Sequence, residues 1–228
     1  MSDVWELYYH GPKLVGPGRG EFVRLMFEEL GMKYKEVNDN VYELFRDKLQ
    51  GFPSLAPPMI KKGDFQLSQT GVICKYLGKK YGLYPDTEED EWHAEQVLST
   101  IMDYISEGRL AFHGKNFYES YYTQQEETKP YIKVFIEKRM PKFLDHFEKV
   151  LKANDRGNGF VIGKKLTYVD IALLHVLRAT EAQFPDVWPA VENIPLLRAF
   201  KERISARPNL AAYFKSGRPR PFEGNSMM

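Results

Sequence analysis

Two adjacent tyrosines, Tyr8 and Tyr9, close the first apolar run of this chain, and a polar triplet, Ser68-Gln69-Thr70, opens a later helical one. These are the groups that survive a search for chemistry. A helix N-terminus presents unsatisfied N–H groups and the positive end of a dipole, so the triplet marks a place that attracts carboxylates. The plainer reading of the same three residues is N-capping. Other constellations fail. His10 and His113 lie in loop-like or helix-end positions, while His93, His146 and His175 sit within helical patterns, and no pair has the H-x-x-x-H spacing of a zinc site. No G-x-S-x-G elbow occurs. Gly16-Pro17-Gly18-Arg19-Gly20 is glycine-rich but lacks the Gly-Lys-Ser/Thr of a P-loop and misfits G-x-G-x-x-G. The single cysteine, Cys74, excludes an internal disulfide and a multi-cysteine metal site, and it reads as a core residue.

The elements that must position these groups alternate through the first 84 residues. Val4 to Tyr9 is a short aromatic-rich strand, followed by a loop with two prolines between Gly11 and Gly18. Phe22, Leu25, Met26 and Leu30 form one helical stripe that Gly31 stops. Lys33 to Val37 reads as a strand and Val41 to Leu49 as a short helix. Met59-Ile60 and Phe65 to Leu67 flank a hairpin signal at 61–64, and helical spacing returns from Gln69 to Tyr81. The order β-α-β-α-β-β-α predicts a small mixed sheet covered by helices. It suits a thioredoxin-like domain, and other α/β arrangements share it.

A short acidic connector, residues 85–91, leads into a chain that is helical to its end. The periodic segments run from about Glu88 to Phe112, Pro130 to Leu151, Thr167 to Ala182 and Ile194 to Ala206. Within Leu166 to Ile171, Thr167 and Asp170 have the spacing of a capping box, with Leu166 and Ile171 as its hydrophobic staple.

Composition narrows the classes of function. Apolar residues make up 43%, enough for a sizeable core, and 32 basic residues balance 31 acidic ones at a net charge of +1. Nothing in that balance points to nucleic acid or to a polybasic membrane contact. The longest apolar run, near Ile171 to Leu177, is too short to span a bilayer. The opening residues carry acids where a signal peptide needs basic and apolar ones, and the tail matches no anchor or retention signal. The expected compartment is the cytosol.

In chain order, Leu7-Tyr8-Tyr9, the segment from Gly18 to Arg24, Ala56-Pro57-Pro58-Met59-Ile60, Leu67-Ser68-Gln69-Thr70 and Thr167-x-x-Asp170 together resemble the cytosolic glutathione transferases of tyrosine type. The resemblance runs over nearly the whole chain, and its pattern is shared by the alpha, mu, pi and sigma classes. It implies an α/β N-terminal thioredoxin-like domain over 1–84, a linker over 85–91 and an all-α C-terminal helical domain with its tail over 92–228. The implied activity is conjugation of the glutathione thiolate to small-molecule hydrophobic electrophiles, with glutathione as co-substrate, no metal, a homodimeric assembly, and neither nucleic acid nor membrane as partner. The rival readings are a non-catalytic binder of glutathione or hydrophobic ligands, and a glutathione-dependent isomerase or peroxidase on the same fold.

Carried over by position, Tyr9 is the catalytic tyrosine, whose hydroxyl donates to the glutathione sulfur. A register slip of one residue would put Tyr8 there instead, and alternation from Leu7 favours Tyr9. Gln69 and Thr70 are implied to hold the γ-glutamyl group, and Asp103 to reach its amine from the partner subunit of a dimer. Arg19 matches the arginine of the first-helix region. Pro58 stands at the cis-proline position. Pro57 stands where a backbone N–H and C=O meet the cysteinyl unit, and a proline there lacks the N–H, so one hydrogen bond of net ~1 kcal/mol is lost or replaced. Phe45 and Lys48 fall near the expected glycyl-carboxylate site. Tyr8 or His10, with Tyr104, Phe112, Phe117 and Tyr121, are expected around the second substrate. No Cys, Ser or Thr lies between Tyr9 and Arg24, which disfavours the cysteine and serine classes.

Overall fold

The computed structural model describes residues 4–11, 16–48, 51–154 and 159–222. Strand β1 (Trp5–Tyr8) is the axis of the first domain: Trp5 and Leu7 are buried, and Tyr9 just beyond the strand continues the same alternation. Helix α1 (Gly20–Glu29) crosses over to β2 (Tyr34–Val37), which pairs parallel to β1 with Tyr8 opposite Val37. One turn of α2 (Val41–Glu43) runs on into a π turn (Leu44–Lys48); the expected helix ends at Leu49, outside the described residues. Strands β3 (Met59–Lys62) and β4 (Phe65–Ser68) form the expected hairpin, turned by Gly63 at φ 60°. Strand β3 lies antiparallel to β1, giving the sheet order β2-β1-β3-β4. Helix α3 (Thr70–Tyr81) then packs beside α1.

The first long helix begins at Glu88, as the periodicity predicts, inside the segment read as the connector. Helix α4 (Glu88–Phe112) takes Glu88 to Glu91 as its first turn, so the acidic run is helix and not connector. The reason is local: Thr87 Oγ1 accepts from the Asp90 N–H at 3.1 Å, and four acids complement the positive end of the helix. The segment expected to begin at Pro130 begins instead at Gln125, with Pro130 inside α5 (Gln125–Val134). A π turn (Phe135–Arg139) joins α5 to α6 (Met140–Ala153). Helices α7 (Tyr168–Gln183), α8 (Pro195–Ser205) and α9 (Pro208–Lys215) follow.

The capping box is present at the start of α7. The Thr167 N–H donates to Asp170 Oδ2 at 2.7 Å, and the other Asp170 oxygen accepts from the Val161 N–H at 2.7 Å. Helix α7 is buried on almost every side and packs against α1, α3, α4 and α8, so it is the post on which both domains rest. Farther along, Arg207 pairs with Glu29, and Arg218 grips Glu28 with two bonds of 2.7 and 2.6 Å. These contacts return the end of the chain to α1.

Candidate functional site

Tyr9 is 5% exposed, with its ring held on several sides. Gly18 and Gly20 pass so close that a Cβ at Gly20 would lie 2.7 Å from Tyr9 Cγ, and one at Gly18 would overlap the hydroxyl. Gly18 also needs its φ of 58°. The Arg24 and Arg220 guanidinium carbons stand 5.6 and 5.8 Å from the ring centroid, and the His10 ring meets it edge-on at 5.1 Å. The hydroxyl oxygen accepts from the Arg19 N–H at 2.9 Å. Its proton is left to donate elsewhere. Burial raises the Tyr9 pKa above that of a free phenol, against the pull of the Arg19 amide, Arg24 and the Gly20 amide, so the group is a neutral donor near pH 7.

Tyr8 occupies the opposite face of the strand. Its hydroxyl donates to Glu6 Oε2 at 2.9 Å, and burial together with Glu6 pushes its pKa up to about 12.

The amide that holds Tyr9 belongs to a residue that also walls a cleft of about 530 Å³ between the domains. Arg19, Ala56, Pro57, Pro58, Gln69 and Thr70 contribute to it, with Gly71, Val72, Met102 and Ser106. Arg19 spans the gap: its Nη2 donates to Ser106 Oγ at 2.8 Å, and Nη1 approaches the Met102 sulfur at 3.9 Å. The Pro57–Pro58 peptide is cis. At the far end α3 points its N-terminus inward. Gln69 precedes it at φ 73°, ψ 113°, a conformation that costs a residue with a Cβ ~1–3 kcal/mol. No side chain caps the helix there, so N-capping is not what the triplet does. The Thr70, Gly71 and Val72 amides face the cleft end with the helix dipole behind them, the arrangement that binds a carboxylate.

The structure thus gathers Arg19, Pro57, Pro58, Gln69 and Thr70 at one cleft and ties the buried Tyr9 hydroxyl to the amide of Arg19. Asp103 is exposed on α4, next to the cleft residue Met102. Phe45 is half-buried in the π turn, and the Lys48 side chain lies outside the described part. Tyr104 departs from expectation. It is fully buried, its hydroxyl is 2.9 Å from Thr180 Oγ1, and its ring stacks on Phe135, so it belongs to the helical core and does not line the cleft. A two-residue offset explains this, since Met102 and Ser106 take the cleft-facing side of α4 and Tyr104 the opposite one. Phe112, 2% exposed against Tyr121, is also core. Met102, Ser106 and Arg220 were missed. The first two share a helical face one turn apart, a visible spacing, whereas Arg220 arrives from a distant tail and left no local signal. Cys74 is fully buried, and burial pushes its thiol up to about 12, which removes it as a nucleophile. Among the described residues no cluster of His, Cys, Asp and Glu is placed to hold a metal ion, and no helix is long and apolar enough to cross a membrane.

A four-stranded mixed sheet with a cis-proline loop and an inward helix N-terminus, docked on an all-helical domain, defines a two-domain thioredoxin-like protein with its cleft at the domain boundary. Comparison with known proteins makes this specific. Residues 113–217 match the family model described as "Glutathione S-transferase, C-terminal domain". The chain is 32% identical over 205 residues to glutathione S-transferase P 1 of Xenopus laevis, covering 87% of this chain and 88% of that one. It is 30% identical over 223 residues to a glutathione S-transferase of Plasmodium falciparum, covering 93% and 96%. Among solved structures, the pi-class glutathione S-transferase of Onchocerca volvulus superposes with a TM-score of 0.73 at 23% identity, covering 93% and 92% of the two chains. Prostaglandin synthase D of Nilaparvata lugens superposes at 0.74 and 21%, covering 96% and 100%; these two attest the fold. The chain belongs to the glutathione S-transferase family, and it is a transferase that works with glutathione.

Proposed function

We propose that this enzyme binds glutathione along the cleft, with its γ-glutamyl carboxylate on the α3 amides and its sulfur at the Tyr9 hydroxyl, and adds the thiolate to hydrophobic electrophiles. The observation that carries the reading is the Tyr9 hydroxyl itself. Its oxygen is engaged by the Arg19 N–H, and its raised pKa keeps the proton in place. A fixed neutral donor of this kind stabilises a sulfur anion without competing for the proton. The thiol proton leaves to solvent, the sulfur forms its bond to the electrophilic atom, and the leaving group departs with the electron pair. The cis Pro57–Pro58 turn supplies carbonyl oxygens for the cysteinyl N–H, and the N–H that proline lacks is not replaced from that turn. Phe45 and Lys48 are assigned to the glycyl end on position alone.

The assembly in this reading is a homodimer in which Asp103 reaches the partner's γ-glutamyl amine. Its support is an unpaired, exposed carboxylate beside the cleft, together with Phe52 and Leu55, 81% and 89% exposed on the loop before the cis proline. The cytosol and the clearance of reactive electrophiles are the setting we assign. Titration of bound glutathione by thiolate absorbance, with initial rates on electrophile, epoxide and hydroperoxide panels, tests the scheme. A bound thiol with the pKa of the free one would remove the role given to Tyr9.

A further inference from the structure

The last turn of α4 carries a cation that the scheme above leaves unused. Arg109 follows Ser106, the residue that holds Arg19, by three positions and so shares its face of the helix. Its guanidinium lies over the Phe117 ring, 4.4 Å from the centroid. Among the described residues it donates no hydrogen bond and pairs with no carboxylate. Arg24, Arg139, Arg207, Arg218 and Arg220, by contrast, each grip a glutamate. Arg19 has only Ser106 and the Met102 sulfur, so two half-buried arginines approach the same place without an anion.

In the reading above that place adjoins the sulfur, because the Arg19 amide also holds the Tyr9 hydroxyl. Arg109 is within electrostatic reach of both Tyr9 and Tyr42, and its charge acts on Arg19 and on His113. The first domain contributes aromatic surface there: His10 meets Tyr9 at 5.1 Å and Tyr42 at 4.8 Å between ring centroids. Phe117 of the helical domain is 49% exposed, and Tyr42 of the first domain is 68% exposed. Exposed aromatic rings beside an uncompensated guanidinium suit a flat apolar molecule that carries a negative charge.

We propose that Arg109 is the specificity-determining residue of the second-substrate site, and that it selects electrophiles bearing a carboxylate or similar anionic group on an aromatic or apolar body. The proposal rests on the conjugation reading above. A guanidinium on an aromatic face is pre-organised, and a carboxylate takes two parallel N–H donors from it. Glutathione is not the anion in question, because its own carboxylates are assigned to the α3 amides and the glycyl end.

The test uses a matched pair with one reacting centre, 4-chloro-3,5-dinitrobenzoate and its methyl ester. In both, the thiolate sulfur bonds to the ring carbon that bears chlorine, and chloride leaves with the bonding electrons. Arg109→Met should lower kcat/KM for the benzoate by about ten- to hundred-fold, mostly through KM, with the ester and the KM of glutathione nearly unchanged. Arg109→Lys should recover part of the loss. Equal loss on acid and ester, loss on neither, or a rise in the glutathione KM alone would overturn the assignment. Should the variant not fold, calorimetry on the wild-type enzyme answers the question: 3,5-dinitrobenzoate should bind at least ten-fold more tightly than 3,5-dinitrobenzamide, and weaken as salt rises. Equal affinities would overturn it. If the wild-type enzyme turns over neither ester nor acid, the conjugation reading fails, while the binding comparison still decides the role of Arg109.

Discussion

Removing the Tyr9 hydroxyl as Tyr9→Phe separates catalysis from binding. The hydroxyl accepts one amide at 2.9 Å and has one proton to give. A hydrogen bond to a sulfur anion contributes ~1.5–3 kcal/mol, so its loss should lower kcat about ten- to hundred-fold and raise the pKa of the bound thiol by about 1–2. The fold should survive. Gly18, Gly20 and the Arg24 and Arg220 guanidinium groups contact the ring itself, and the orphaned Arg19 amide costs only ~1 kcal/mol. Affinity for glutathione should be nearly intact, because the cleft contacts lie on α3 and the cis-proline turn.

The assay is initial rate against pH with a neutral chlorodinitroarene, paired with thiolate absorbance of the binary complex. Thiolate is lost first from the variant as pH falls, so the deficit should be largest at low pH and narrow at high pH. Tyr8→Phe is the control. It removes a 2.9 Å bond to Glu6 on the other face of the strand and should leave both readouts in place. A silent Tyr9→Phe, or a large loss in Tyr8→Phe instead, would refute the reasoning.

Gly20→Ala should lower kcat about as much as Tyr9→Phe, because its methyl would sit 2.7 Å from Tyr9 Cγ and displace the ring; rates at matched stability by thermal melt check this. Asp103→Ala should weaken glutathione binding without unfolding the chain, and sedimentation of an active monomer would contradict the borrowed carboxylate. His175 is fully buried, and burial, with Arg178 nearby, lowers its pKa to about 3. The unfolded chain therefore takes up a proton near pH 6.5 that the native one refuses, and this contribution to stability is lost as pH falls from about 6.5 towards 3. It amounts to a few kcal/mol at the acid end, and urea melts of His175→Leu over that range should show a flatter acid limb.

Much of this was legible in the sequence because local signals and tertiary demands agree. Leu7 to Tyr9 alternate, so the buried face of β1 and the identity of the inward tyrosine follow from one another. Thr167 and Asp170 needed only each other and an amide. The misreadings came where residue type and backbone geometry point different ways. The acidic run from Glu88 reads as a connector by composition, yet Thr87 makes it a helix start. Pro130 reads as a boundary, yet α5 carries it in its interior. Ser68-Gln69-Thr70 reads as a cap by residue type. Only the backbone, with Gln69 at φ 73°, reveals that the cap is missing and the amides are free. Tyr104 is two residues away from the cleft-facing Met102 and Ser106, and on a helix that places it in the core.

The surroundings of Tyr9 show how opposing demands on one hydroxyl are reconciled. A strong donor needs an acidic proton, whereas a donor at neutral pH must keep it. Burial raises the pKa, and the Arg19 and Gly20 amides with Arg24 lower it. The Arg24 and Arg220 cations at the ring also draw electron density from it, which strengthens the O–H as a donor. Both of these guanidinium groups are paired with carboxylates. Burial works against the charge on Arg24, but Glu36 and Glu21 hold it in place, and Glu36 also takes Arg220 Nη2 at 2.7 Å. Arg220 further donates to the His10 carbonyl at 2.6 Å, so the tail pins the loop that follows Tyr9. The charges that tune the hydroxyl are therefore the same ones that fasten α1, β2 and the chain's end together. A residue 211 positions away in sequence from Tyr9 becomes part of its setting because the helical domain delivers it there.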